Sequence, residues 1–452
     1  MNRRPTLLRP LVSGLLIFGS LAGSLAGSLP ALANNTASDF DPSKGLDGYL
    51  RRALAENPGL KAFEQRYEAA MSRIPQASAL PDPTLQITHF VESVQTRTGP
   101  QENVLMLSQK IPWFGKLASR EASASTEAEA LWHAYRHQQL MLARSVALAY
   151  FEYGYTGEAI RLTRENLDLL RELEPIVEEK IRAGSSTNPL LRLKVEVAKV
   201  DDRLRSLARQ RVAQSARLSE LLALPDESPL PWPEVDTPEP ASPDGTALAA
   251  ALRAGNPELR MLERKIASAE ARRELARLER YPDVTLGLNY IQVGEPKVMP
   301  TTPDAGQDPW GVTVAINLPI RFAKYDAAKA EALAHKRSAE SEYHSRRNAL
   351  LAELTSSLAT LEDANRRLDL YGDELLGLAR QAVENSSAAY QSGQTGILEV
   401  IDSERSLLDL QLLYERAIAD AWQQRIRIQT LTGQGAGNDE PANLDRSQTF
   451  QD

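Results

Sequence analysis

The chain is written twice, and this limits its possible folds more than any other feature. Asn57-Pro58 returns as Asn256-Pro257, in each case shortly after an Ala- and Leu-rich helical stretch, Tyr49 to Ala55 and Leu248 to Ala254. Pro81-Asp82 with Leu85 returns as Pro282-Asp283 with Leu286, Ile111-Pro112 returns as Leu318-Pro319, and Gly184 returns as Gly393. The offsets are 199, 201, 207 and 209, so the order is kept while the later connections of the second copy lengthen. Between the copies, residues 225–245 hold seven prolines in 21 positions, which no continuous helix tolerates. The expected organisation is a first repeat over 34–224, a Pro-rich linker over 225–245, a second repeat over 246–433 and a mobile polar tail over 434–452.

Each repeat reads helix, strand, loop, strand, long helix, turn, long helix. Val284, Leu286, Leu288 and Tyr290 alternate with Thr285, Gly287 and Asn289. Val312, Val314, Ile316 and Leu318 alternate with Thr313, Ala315 and Asn317. One face is apolar and the other small or polar. The expected strands are about 83–91 and 103–111, then 283–291 and 311–318, with loops from Glu92 to Glu102 and Gly294 to Asp308. The expected long helices are about 117–182, 189–222, 323–391 and 397–432. The first holds one proline, Pro175, and the third none. Helices of some 65 residues reach about 100 Å and need lateral partners. Leu354, Leu361, Leu368 and Leu375 supply a heptad, while Leu351 and Leu358 fill a companion register that Asn365 and Gly372 interrupt. Leu193, Val197, Val200, Leu204 and Leu207 step by four and three in a return helix. This is antiparallel coiled-coil packing, with an ordinary helical bundle as the alternative.

Residues 1–33 set the compartment. Arg3, Arg4 and Arg9 precede an apolar run broken by Gly and Ser, which ends in Ala31-Leu32-Ala33. This reads as a secretory signal cleaved after Ala33, rather than as a membrane anchor. The full chain carries a formal charge of −8, and loss of the three arginines leaves −11. Such a chain has no general affinity for nucleic acid. It has no cysteine, hence no disulfide, thiol nucleophile, Cys-based metal site or lipidated N-terminal Cys.

Strands of this length and pattern fit tilted transmembrane β-strands. An open sheet edge in lipid leaves its amides without partners, and four strands are too few to close a barrel. Either the sheet lies outside the membrane or several chains pool strands. Two chains give eight strands and a plugged lumen; three give twelve and a passage.

The duplicated plan, the run Ser108-Gln109-Lys110-Ile111-Pro112-Trp113-Phe114-Gly115-Lys116 and the run Tyr390-Gln391-Ser392-Gly393-Gln394-Thr395-Gly396-Ile397-Leu398-Glu399-Val400-Ile401-Asp402 together resemble the outer-membrane efflux (TolC-like) family. The resemblance covers essentially the whole mature chain. It implies a mainly α fold with a small β part, and a homotrimer whose twelve-stranded outer-membrane barrel continues as a periplasmic α-helical barrel. The implied partners are a periplasmic adaptor, an inner-membrane pump and outer-membrane lipid. The Gln-x-x-Pro-x-x-Gly-Lys form of the first run looks most like the heavy-metal cation (Czc- and Cus-like) branch. Drug and protein exporters share the architecture.

Glu399 and Asp402 stand i, i+3 at a helix start, where acids also serve simply as N-terminal residues. By resemblance they line a periplasmic constriction as an acidic ring. Tyr390 matches a position whose hydroxyl holds helix pairs shut. Asn188-Pro189-Leu190 stands where some relatives place an acidic partner. The turn tips, Gly184, Ser185, Asn188, Pro189, Gly393, Thr395 and Gly396, are the implied adaptor contacts. Thr285, Asn289, Thr313 and Asn317 are expected to face a barrel lumen. His133 and His137 share a helix face but lack an evident third ligand, so neither a metal site nor a cofactor is expected. No catalytic constellation is present, and an enzyme is not expected. The rival from another class is a soluble periplasmic adaptor, which normally has one hairpin flanked by β-rich domains rather than two hairpins and four strands.

Overall fold

The computed structural model describes residues 40–184, 186–225, 230–240, 242–295 and 304–434. The expected signal peptide with its cleavage after Ala33, Ser185 and the tail from residue 435 lie outside them. The first repeat contains α1 (Leu46–Glu56), α2 (Pro58–Met71), α3 (Ile74–Ser78), β1 (Thr84–Thr96), β2 (Gly99–Ile111), α4 (Lys116–Arg182) and α5 (Asn188–Leu222). The second contains α6 (Gly245–Gly255), α7 (Pro257–Leu278), β3 (Val284–Val293), β4 (Trp310–Ile316), α8 (Phe322–Asp369), α9 (Leu376–Gln391) and α10 (Ile397–Leu431).

The repeated Asn-Pro pair has a repeated task. Proline fits the first helical position, where its missing N–H is not needed. Asn57 Oδ1 accepts the Leu60 N–H and caps α2, while its Nδ2 donates to the Leu221 carbonyl at 3.1 Å. Asn256 Oδ1 accepts from Glu258 and Leu259, and its Nδ2 donates to the Leu431 carbonyl at 3.0 Å. One side chain thus serves orphan groups of two helix ends at once. It joins α5 to α2, and α10 to α7, end to end.

Laterally, the helices form one layer. The α2/α5 stack lies against α4, α4 against the α7/α10 stack, and that stack against α8 and α9. Leu252, Leu259, Leu354, Leu361 and Leu431 fill one core, and Tyr49, Val146, Tyr150, Leu218 and Leu222 fill its first-repeat counterpart. Residues 230–240 of the Pro-rich linker strap this layer in a non-helical path. Trp232 stacks on Tyr153 at 4.6 Å, and a Cβ on Gly157 would lie 2.7 Å from the indole.

Two expectations are corrected. The helix expected over 323–391 is interrupted by a π-helical turn, Leu370–Leu375. Leu354, Leu361 and Leu368 are buried, but the next buried position is Leu376, not Leu375. The π turn absorbs one extra residue and shifts the seam by one. Gly372 permits this, because a Cβ there would come within 2.9 Å of the Tyr414 ring. The loop expected from Glu92 to Glu102 is mostly strand, and β1 and β2 join through Arg97-Thr98. Its polar composition hid the extension of the hairpin beyond the alternating segment.

The strands form one antiparallel sheet in the order β1-β2-β3-β4. Rows run across it. Leu85, Leu107, Leu288 and Val312 are opposed in turn, as are Ile87, Leu105, Tyr290 and Trp310. All eight are exposed. The next row, on the other face, is Thr84, Ser108, Gly287 and Thr313. β1 and β4 are the edges.

Candidate functional site

The base of the sheet is held by a charged junction. Lys116 opens α4 after Gly115, whose φ of +84° favours glycine. The lysine is 1% exposed, and its Nζ donates to Asp283 Oδ1 at 2.7 Å and to the Tyr281 carbonyl at 2.9 Å. Asp283 also accepts the Trp113 N–H at 3.1 Å and pairs with Lys110 at 3.0 Å. Burial alone would raise the Asp283 carboxyl. The bonds from Lys116, Trp113 and Lys110 outweigh it and hold the pKa at about 2. Trp113 stacks on Tyr281 at 5.5 Å, whereas Phe114 is 86% exposed. The motif noted in the sequence for its resemblance therefore fastens the first repeat to the second.

Thr285, Asn289 and Thr313 lie on the small, polar face with Gly287 and Ala315. Asn289 Nδ2 donates to Thr313 Oγ1 at 3.1 Å. Asn317 lies beyond β4, and its Oδ1 accepts the Asp283 N–H, so it ties the end of the sheet.

At the far end of the long helices, Gly184 (φ +102°) and Gly393 (φ +78°) form the turns. Nothing lies within 4 Å of a Cβ built at either, so backbone conformation alone selects glycine. Gln394 N–H donates to the Ala389 carbonyl and Gly393 N–H to the Tyr390 carbonyl, a Schellman closure of α9. Asn188 and Pro189 open α5, and the Asn188 N–H donates to Ser186 Oγ at 3.3 Å. Thr395 has a buried hydroxyl without a partner, and Gly396 caps α10 through its backbone.

Glu399 and Asp402 are exposed on the first turns of α10. Arg405, which the sequence reading missed, meets Asp402 at 3.4 Å. It also grips buried Glu196 of α5 with both arms, at 3.0 and 2.7 Å. These bonds hold the Glu196 carboxyl below its ordinary range despite burial. Glu196 and Arg405 stand 209 apart, the same offset as the two turn glycines, so opposite charges at matched repeat positions were a usable signal. Tyr390 is buried, and its contacts run through its ring and backbone. Lys180 Nζ lies 3.6 Å from the ring centroid and donates to the Tyr390 carbonyl at 3.1 Å.

His133 and His137 face α7. His137 Nε2 lies 4.0 Å from Glu258, whose carboxylate is already held in bidentate fashion by Arg346 at 2.6 and 2.8 Å. Burial first, then neighbouring arginines, lowers the pKa of His133. No metal-holding cluster occurs among the described residues.

The family model described as outer membrane efflux protein matches residues 49–224 and 248–434, one segment for each repeat. The chain belongs to that family. Its members are transport channels of the outer membrane, not enzymes. Its relatives include the probable outer membrane lipoprotein SilC of Salmonella typhimurium, 24% identical over 70% of this chain and 69% of the relative. The cobalt-zinc-cadmium resistance protein CzcC of Cupriavidus metallidurans is 23% identical, over 86% and 90%. The toluene efflux pump outer membrane protein TtgF of Pseudomonas putida is 24% identical, over 90% and 82%. Among solved structures, the outer-membrane channel OprN covers 87% of this efflux protein and 91% of its own chain, with a TM-score of 0.73 at 19% identity. CusC covers 87% and 92%, with a TM-score of 0.71 at 18% identity.

Proposed function

We propose that this efflux protein is the passive exit duct of a tripartite system and carries heavy-metal cations across the periplasm and outer membrane. The observation that carries the reading is the four-stranded sheet, apolar on one face and polar on the other, with unpaired edges at β1 and β4. Lipid-exposed edges are too costly to leave open, so copies share strands. Three copies give a twelve-stranded barrel with a passage, lined by Thr285, Asn289 and Thr313. The four side-by-side columns of the helical layer give a twelve-column tunnel beneath it. An adaptor docks on the tips around Gly184, Asn188, Pro189, Gly393, Thr395 and Gly396, and an inner-membrane pump supplies the energy.

The proposed constriction is the ring of Glu399 and Asp402, six carboxylates around one axis, which attracts cations. Arg405 is held chiefly by Glu196 and meets Asp402 at 3.4 Å, so it offsets only part of the charge of the ring. The metal cargo is supported by this ring and by likeness to CzcC and SilC. Likeness to TtgF supports an apolar cargo in the same architecture. Planar-bilayer recording separates them. The Glu399→Ala, Asp402→Ala double variant should lose most of its preference for cations over anions. Unchanged selectivity rejects the ring. A chain found in the soluble periplasmic fraction instead supports the adaptor reading.

A further inference from the structure

Just beyond the proposed ring along α10, the helices α4, α5 and α10 leave a cavity of about 340 Å3 between them. Leu170, Val200 and Leu408 make part of its wall apolar. Asn166 of α4 also stands in that wall, at a break in the packing of α4 on α10. On one side of the break Ala159, Leu162, Leu408 and Leu412 pack together, and on the other Leu167, Leu170, Val400 and Ile401. Asn166 is 6% exposed, and its amide makes no hydrogen bond with any described residue. A buried amide without partners is costly, and an apolar side chain would continue the seam without that cost. The amide borders the cavity, so the cavity is where its partner belongs.

The charges around the cavity leave donors to spare. Arg405 is taken up by Glu196, at 3.0 and 2.7 Å. Lys199 reaches Glu196 only at 3.4 Å, and Arg203 reaches Asp409 only at 3.4 Å. An ammonium group has three N–H donors and a guanidinium five, so both keep donors free. An adjoining cavity of about 360 Å3 shares Lys199 and Arg405. Its wall adds Asp402 and also Arg192, which has no ion pair among the described residues. In a chain with a formal charge of −8, this stretch of wall holds more basic than acidic groups. We propose that the first cavity is an oxyanion site. Lys199 and Arg203 hold a carboxylate or phosphate group by charge-assisted hydrogen bonds, and the Asn166 amide completes its shell. The volume suits a small solute. The place of the site in a duct rests on the function proposed above, because Asp402 of the ring lines the adjoining cavity. There the site holds the anionic part of a solute whose cation the ring attracts. The binding itself does not depend on that function.

Isothermal titration calorimetry on the full-length protein in mild detergent tests the site with two probes, inorganic phosphate and citrate. Sodium chloride of equal ionic strength serves as the reference. At least one probe should give a saturable heat with one site per chain, and the tighter of the two tells phosphate from carboxylate recognition. Arg203→Gln should weaken that binding at least tenfold. Asn166→Leu should weaken it several-fold and yet raise the thermal midpoint of the probe-free protein, because the variant removes an orphan amide. No saturable heat with either probe, or undiminished affinity in Arg203→Gln, overturns the site. An Asn166→Leu variant that keeps full affinity and melts lower overturns the role of the amide. Planar-bilayer recording separates this proposal from the duct. Probe binding by a protein that forms no conducting pore overturns the duct and leaves the site, whereas a cation-selective pore without probe binding overturns the site alone.

Discussion

Lys116 and Asp283 show how much a single contact can carry here. The lysine is buried, so removing its partner leaves a charge in the interior opposed only by the more distant Glu279, 3.9 Å away. Asp283→Ala should cost about 3–5 kcal/mol in thermal unfolding, whereas the Lys116→Met, Asp283→Leu pair should recover much of that loss. Because the native carboxyl titrates at about 2, below its ordinary 3.8, its contribution is full above pH 3.8 and disappears as pH falls toward 2. Glu415 has the opposite sign. Burial, and then Glu158, raise it to about 6, so its ionisation opposes folding increasingly as pH rises from 4.5 through 6. Glu415→Gln should therefore stabilise the protein at neutral pH by about 1–2 kcal/mol. The gain should vanish below pH 4.5, which denaturant titrations at both pH values would check. Much at this scale was legible in part only. Glu399 and Asp402 were singled out by the run that carries the resemblance, since their spacing alone equally suits acids at a helix start. The partner of Lys116 was not, because it lies 167 residues away and only the fold brings the two together, while the pairing of Arg405 with Glu196 was legible only through the repeat offset of 209.

The helices and strands were read well where a period existed. The leucine seam of α8 was plain from Leu354 to Leu368, and the four strands were plain wherever apolar and small residues alternate. What failed were interruptions decided by tertiary contact. The π turn depends on Tyr414 lying against Gly372, and no local pattern encodes that neighbour. Gly372→Val should overpack this contact and cost about 1–3 kcal/mol, measured by chemical denaturation. The end-to-end helix joints give a second expectation. Asn256→Ala removes both a cap and a bond to the Leu431 carbonyl, so it should cost at least the ~1 kcal/mol of an ordinary cap. Asn57→Ala should resemble it, since the two repeats use one device.

At the scale of the molecule, duplication explains the architecture. Two similar hairpins join side by side into one sheet, and two similar helical stacks into one layer, with unlike flanks. The sequence disclosed the repeat and the apolar strand face. It did not disclose the order of the layer, because lateral order depends on which helix flanks meet. The central claim is that open sheet edges force copies to share a cylinder. Native mass spectrometry of the protein released from membranes in mild detergent tests it most directly. The account predicts a single species of three chains that falls apart only when the sheet melts. A stable single chain, soluble without detergent and with the edge amides of β1 and β4 protected from exchange, would contradict it.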